Sequence, residues 1–225
     1  MKNLDKFYTP KETVERIIKE VDLDKYDLIV EPSAGNGSFL PYLPKDSTIA
    51  MDIMPEHKDI IKKDFFTYSP GKMYKNILVI GNPPFGKNSS LAVKFFNHSA
   101  TFANTIIMIL PKTFKKVSIQ NRLSLDFHLV KDIVINEFFL MDGEEQYVPT
   151  IGQLWIRKEE KREKVQTRTL SKYFTFVEPE DKPDFSIRRV GYYAGKCYKE
   201  LDKSKSSHYF IKSNIKKDKL FDIIN

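Results

Sequence analysis

The chain has 225 residues, 41% of them hydrophobic and 30% charged, with a formal net charge of +7. That length supports one sheet-sized core plus a modest appendage, and no run is long and apolar enough to span a membrane. One cysteine, Cys197, and four scattered histidines leave no internal disulfide and make a metal site unexpected, and the opening Met-Lys-Asn-Leu-Asp-Lys has no apolar signal region; together they predict a reducing intracellular setting rather than secretion.

In chain order, Phe7-Tyr8-Thr9-Pro10 precedes a helical pattern over residues 11 to about 21, with Val14, Ile17, Ile18 and Val21 as its apolar face. Thr9 reads as its N-cap and Pro10 as its first residue. Residues 27–31 form a first buried strand, closed by Pro32-Ser33-Ala34-Gly35-Asn36-Gly37-Ser38-Phe39-Leu40. Small residues after a strand let a ligand approach backbone N–H groups. The third glycine of a dinucleotide fingerprint counted from Gly35 would fall on Leu40, so the loop suits a nucleoside joined to an amino acid better than a pyrophosphate. The strand over 48–51 ends at Asp52, a carboxylate placed to accept from vicinal ribose hydroxyls.

Residues 56–63 read as a helix, followed by Asp64-Phe65-Phe66, either an acceptor for an adenine amino group beside a ring or a solvated acid at a helix end. The run Asn76-Ile77-Leu78-Val79-Ile80-Gly81 is a buried strand of parallel-sheet type. It closes at Asn82-Pro83-Pro84-Phe85, where two prolines fix the backbone and leave its carbonyls outside any ladder. The amide oxygen of Asn82, a backbone carbonyl and the Phe85 ring would suit a planar group bearing an NH2. A helix over 90–103, with Leu91, Phe95, Phe96 and Phe102 buried, leads to a strand over 105–110, ended by Pro111 and the basic Lys112-Thr113-Phe114-Lys115-Lys116. The alternation of strands and helices predicts a doubly wound α/β sheet. Strands over 131–139 and 151–157, joined by a loop over 142–150, must pair antiparallel.

Charge shifts near residue 160. Over residues 161–225 there are 16 Lys and Arg against 9 Asp and Glu, whereas the two kinds balance before that point. This predicts a domain over 1–160 and a short basic C-terminal extension over 161–225. A basic surface of this kind suits a polyanion, although it also suits simple solubility or a cover over the sheet.

In this order, the motifs resemble the class I S-adenosylmethionine-dependent methyltransferases, and among them the gamma-arrangement enzymes that methylate adenine N6 in DNA. The resemblance covers roughly residues 7–157. It implies a Rossmann-like, seven-stranded, mostly parallel sheet with helices on both faces and an antiparallel last strand. It implies S-adenosylmethionine as cofactor, S-adenosylhomocysteine as product and no metal. Phe7, Tyr8, Thr9, Pro10, Glu31, Ser33, Ala34, Gly35, Gly37, Asp52, Ile53, Asp64, Phe65 and Asn82 would then hold the cofactor. Asn82, Pro83, Pro84 and Phe85 would form the catalytic motif.

The same resemblance implies that a flipped base stacks on Phe85 and on an aromatic of the late loop, for which Tyr147 competes with Phe138 and Phe139. Lys87, Lys112, Lys115, Lys116, Arg188, Arg189 and Lys196 are the expected nucleic-acid contacts. Target selection would fall to the basic extension, a dimer mate or a separate specificity subunit, with no membrane partner. Adenine in RNA, a protein glutamine amide and a catalytically silent subunit are the competing readings.

Overall fold

Central parallel strands are buried on both faces, so they read as unbroken apolar runs, and three such runs of this chain, over 28–31, 77–81 and 105–111, lie side by side. The computed structural model describes residues 7–141, 144–166 and 170–224. It divides into two compact units, Met1–Val165 and Gln166–Asn225. The first unit begins with helix α1 (Lys11–Ile18) and continues with strands β1 (Leu28–Glu31), β2 (Thr48–Asp52), the short β3 (Ile61–Lys62) and β4 (Ile77–Gly81). Helix α2 (Ser90–Ser99), strand β5 (Thr105–Pro111), the single-turn α3 (Val117–Gln120) and β6 (Phe127–Val134) follow. A hairpin of β7 (Phe139–Met141) and β8 (Glu144–Gln146) then leads into β9 (Thr150–Arg157).

Seven strands form one sheet in the order β3-β2-β1-β4-β5-β9-β6. β9 runs antiparallel to both neighbours, and β1 to β5 pair in parallel. The period-two alternation splits the apolar residues between two cores. Leu28, Val30, Val79, Ile106 and Met108 face α2 through Ala92, Val93 and Phe96. Ile29, Leu78, Ile80, Ile107 and Ile109 face α1 through Val14 and Ile17. α1 comes so close to β9 that a Cβ on Gly152 would sit 2.5 Å from Ile17 Cδ1 and 3.0 Å from Ile133 Cβ.

Several expected elements differ. No helix spans 56–63: Ile61 and Lys62 pair with Met51 and Asp52 as an edge strand. The segment has only the adjacent pair Ile60 and Ile61 to bury, which gives no helical stripe. The links between β1 and β2 are 3-10 turns, Leu40–Tyr42 and Lys45–Ser47, since Pro41 and Pro44 break any longer helix. α1 and α2 also stop short of Val21 and Ala103, ending in tightened last turns. The strand expected over 131–139 is β6, shifted towards the N-terminus. It ends at Val134, and beyond it the Glu137 carboxylate accepts from Thr13 Oγ1 at 3.3 Å, the Asn136 N–H at 3.0 Å and the Arg16 guanidinium. Of the expected loop over 142–150, residues 144–146 are instead the second strand of the β7–β8 hairpin, and residues 142 and 143 lie outside the described residues.

The second unit has a core of its own. Strands β10 (Phe174–Val177), β11 (Phe185–Arg188), β12 (Cys197–Tyr198) and β13 (His208–Ser213) form an antiparallel sheet in the order β10-β13-β11-β12. Helix α4 (Lys217–Ile224) packs Leu220, Phe221 and Ile224 against Phe185, Ile211 and Cys197. Among the described residues, no helix is long and apolar enough to cross a membrane.

Candidate functional site

Strand order reverses between β1 and β4, and in open α/β sheets the crevice beyond that reversal is where ligands sit. β1 ends at Glu31 and β4 at Gly81, so the Pro32–Gly37 loop and the Asn82–Phe85 loop leave neighbouring strand ends together. Between them lies a cavity of about 300 Å³. Its walls come from five places: Phe7 and Tyr8; Pro32, Ser33 and Gly35; Asp52, Ile53 and Met54; Lys63, Asp64, Phe65 and Phe66; and Asn82, Pro84, Leu91 and Phe95.

The polar groups on these walls are held from behind. The Asp52 carboxylate accepts from the Gly35 N–H at 2.9 Å through one oxygen and from the Met54 N–H at 2.7 Å through the other. Each oxygen keeps a further lone pair for a ligand donor. Asp64 Oδ1 accepts from the Phe66 N–H at 2.9 Å and so caps the 3-10 turn Phe65–Thr67. Gly35 has φ +53°, and a Cβ there would meet nothing within 4 Å, so open space adjoins this backbone.

Asn82 is the most constrained. Its Nδ2 donates to Thr9 Oγ1 at 3.2 Å and, more weakly, to the Phe7 carbonyl at 3.5 Å. Its own backbone carbonyl accepts from Ser33 Oγ at 3.2 Å. With both amide hydrogens directed at protein acceptors, the amide oxygen is the group left to accept from a ligand. This corrects the reading of Thr9: α1 is capped at Pro10 with no side-chain cap, because the threonine hydroxyl serves Asn82 instead.

Beneath the cavity lies Glu31, 2% exposed, with no hydrogen-bond partner for its Oε2 among the described residues. Burial, reinforced by the nearby Asp52 charge, pushes its carboxyl up to about 8. Such a group favours a cationic or hydrogen-bonding ligand close above it.

Of the residues expected at the site, Phe7, Tyr8, Ser33, Gly35, Asp52, Ile53, Asp64, Phe65, Asn82 and Pro84 line the cavity. Thr9 holds Asn82 from behind and Glu31 lies beneath the cavity, whereas Pro10 caps α1. Ala34 packs on Ala50 and Ile60, and Gly37, at φ +85°, turns the loop with its N–H on the Ala34 carbonyl at 2.7 Å. Pro83 is buried. Phe85 does not line the cavity; it is half-buried against the α2 side of the sheet. Sequence reasoning missed Pro32, Met54, Lys63, Phe66, Leu91 and Phe95. Four of these directly adjoin residues it named, while Leu91 and Phe95, one turn apart on α2, read simply as core.

Tyr147 lies outside the cavity, exposed, its ring 5.9 Å from that of Phe138 and its hydroxyl 3.1 Å from Lys112 Nζ. Phe139, a rival for the same role, is buried in the core and presents no free face. The hairpin beside them is tied to the cavity wall by a bridge in which the Tyr8 N–H donates to the Leu140 carbonyl at 2.9 Å. Lys87, Lys112, Lys115 and Lys116 are exposed, and Lys115 is partly neutralised by Asp132 at 3.3 Å. Arg188, Arg189 and Lys196 belong to the second unit, where Arg189 donates to the Ser206 carbonyl and lies over the Tyr209 ring.

No family model matches this sequence. Among solved structures, the chain is similar to a provisionally assigned RNA methyltransferase from Pyrococcus horikoshii, with 11% identity and a TM-score of 0.53 over 68% of this chain and 87% of that one. It is also similar to the modification subunit of a provisionally assigned type I restriction enzyme from Vibrio vulnificus, with 15% identity and a TM-score of 0.50 over 69% of this chain and 45% of that one. A 23S rRNA methyltransferase, ErmE, follows at 19% identity and a TM-score of 0.49, over 69% of this chain and 71% of that one. The first two likenesses show the fold: a Rossmann-like class I methyltransferase sheet.

Proposed function

We propose that this chain, a class I methyltransferase by fold, transfers a methyl group from S-adenosylmethionine to the exocyclic N6 of adenine in DNA. The observation that carries the reading is the fixed Asn82 amide. Thr9 and Phe7 take its hydrogens, so its oxygen is oriented as an acceptor at the end of β4, next to the rigid Pro83-Pro84 backbone.

The residues present fit the cofactor. Asp52 suits ribose hydroxyls, Asp64 with Phe65 suits an adenine ring and its amino group, and the unpaired Glu31 oxygen suits the cationic amino-acid end. When bound, S-adenosylmethionine supplies an electrophilic methyl on a sulfonium centre. The chain's own work is then to present the acceptor nitrogen. The N6 lone pair is delocalised into the adenine ring. Hydrogen bonds from its two hydrogens to the Asn82 amide oxygen and the Pro83 carbonyl favour the tetrahedral ammonium that develops as the nitrogen attacks. The methylated ammonium is acidic and loses its extra proton to water, so no strong base is needed and positioning dominates. A base taken out of its stack would find its ring face outside the cavity, at the exposed Tyr147 and its neighbour Phe138 or at the exposed side of the half-buried Phe85.

Asn82→Ala tests the role directly. Turnover should collapse while S-adenosylmethionine affinity, measured by calorimetry, stays near wild type. A large loss of cofactor affinity with turnover spared would overturn the assignment.

A further inference from the structure

The second unit carries a continuous run of rings and cations that the cavity does not use. Tyr192 and Tyr193 pack edge to face with centroids 5.1 Å apart. The Lys196 ammonium lies 5.7 Å from the Tyr193 ring and 5.5 Å from that of Tyr198. Lys203 lies 5.4 Å from the same Tyr198 ring, which meets His208 at 5.5 Å. Arg188, paired in register with His208, adds a cation on the same face of the sheet.

This run is built rather than loose. The turn that carries the tyrosines is closed by the Arg188 N–H on the Lys196 carbonyl at 2.9 Å, the Gly195 N–H on the Arg188 carbonyl at 2.7 Å and the Ala194 N–H on the Gly191 carbonyl at 3.0 Å. Gly191 and Gly195 supply the left-handed corners, at φ +82° and +97°. Yet Tyr192 is 95% exposed and Tyr193 57%, so this ordered turn holds two large rings in water with little packing in return.

Alternating rings and cations match the chemistry of unpaired nucleotides, whose bases offer π-faces for stacking and whose phosphates meet the ammonium groups. A duplex keeps its base faces inside its own stack. We propose that Tyr192, Tyr193, Lys196, Tyr198 and Lys203 form a binding stripe for single-stranded nucleic acid. The proposal deepens the reading of the chain as a nucleic-acid methyltransferase and rests on it for its purpose, but its test does not need methyl transfer.

The test is fluorescence anisotropy of the full chain, without cofactor, against a labelled oligodeoxythymidine strand, a duplex of the same length and phosphatidylserine vesicles. The strand should bind more tightly than the duplex. Tyr192→Ala combined with Tyr193→Ala should weaken strand binding about tenfold or more and leave its salt dependence unchanged, while the double Tyr→Phe variant should bind as wild type. Lys196→Gln should lower the slope of log affinity against log salt by about 0.7, and Lys203→Gln by less, because Asp202 lies 3.7 Å from its ammonium. The exposure of Tyr192 makes misfolding of its variant an inadequate explanation, and the circular dichroism of each variant should match wild type. Unchanged strand binding in the double alanine variant, tighter duplex binding, or binding to vesicles alone would overturn the proposal. Strand binding without methyl transfer to any substrate would sink the methyltransferase reading and leave the stripe standing; methyl transfer without strand binding would do the reverse.

Discussion

The cavity beyond β1 and β4 and the ring-and-cation stripe of the second unit are built on opposite plans. In the cavity each polar group is fixed by partners behind it: Asp52 by Gly35 and Met54, Asp64 by Phe66, Asn82 by Thr9 and Phe7. In the stripe the backbone turn is fixed, but Tyr192, Tyr193 and Lys196 stand in solvent, and Tyr198 and Lys203 are only half-buried. A reaction needs acceptors already oriented before substrate arrives, whereas recognition of a repeating polyanion tolerates many weak contacts. Single substitutions should therefore have large, specific effects in the first region and small, additive ones in the second.

The largest effect expected is at Asn82. Asn82→Ala should lower kcat by at least about 10²-fold, the scale on which removing an oriented transition-state hydrogen bond acts. Thr9→Val tests whether orientation, not mere presence, matters: it keeps the amide but frees it to rotate, and should cost about tenfold in kcat, as one hydrogen bond is lost. Thr9→Ser, which keeps the hydroxyl, should recover most of that. If Thr9→Val matched wild type in single-turnover kinetics, the contrast between the two regions would lose its basis.

Glu31 sharpens the comparison through pH. Its carboxyl is raised to about 8 in the folded protein, against an ordinary unfolded value near about 4.3. The native state then holds a proton that the unfolded state releases, so this group's contribution to stability is full below about pH 4 and declines as pH rises through about 8. Glu31→Gln, which does not ionise, should flatten that decline. Denaturant melts at pH 5 and pH 9 should show a stability gap between variant and wild type that moves in favour of the variant at high pH, by an amount on the order of 2–4 kcal/mol. A gap independent of pH would show that Glu31 ionises freely.

Smallest of all should be single lysines. Lys196→Gln should weaken nucleic-acid binding only about two- to threefold near physiological salt. Lys115→Gln should do less than Lys116→Gln, because Asp132 already neutralises part of the Lys115 charge. A tenfold loss from either lysine would place a specific contact where a diffuse one is expected.

Much of this was legible in the sequence because the central strands of a parallel sheet need no partner to be recognised. Leu28–Glu31, Ile77–Gly81 and Thr105–Pro111 are short apolar runs closed by an acid, a glycine or a proline. The loops that leave them carry the cavity. Edges were another matter. β3 exists through its pairing with β2, and residues 56–63 show no local pattern that announces it. The β7–β8 hairpin is local, and the Asp142-Gly143 pair between its strands is a hairpin signal that the reading of 142–150 as a loop passed over. Thr9 shows the same limit in one residue. Thr-Pro before an apolar helix is an N-cap pattern, but the amide of Asn82, 73 positions along the chain, claims the hydroxyl. The α4-backed core of the second unit also went unread, since its apolar residues are scattered among many charges.

Methyl transfer from labelled S-adenosylmethionine, followed by nucleoside analysis of matched unmethylated DNA, structured RNA and protein, tests the central claim most directly. N6-methyladenine in DNA, lost with Asn82→Ala, is the predicted result. Label confined to RNA or protein, or full activity without the Asn82 amide, would contradict it.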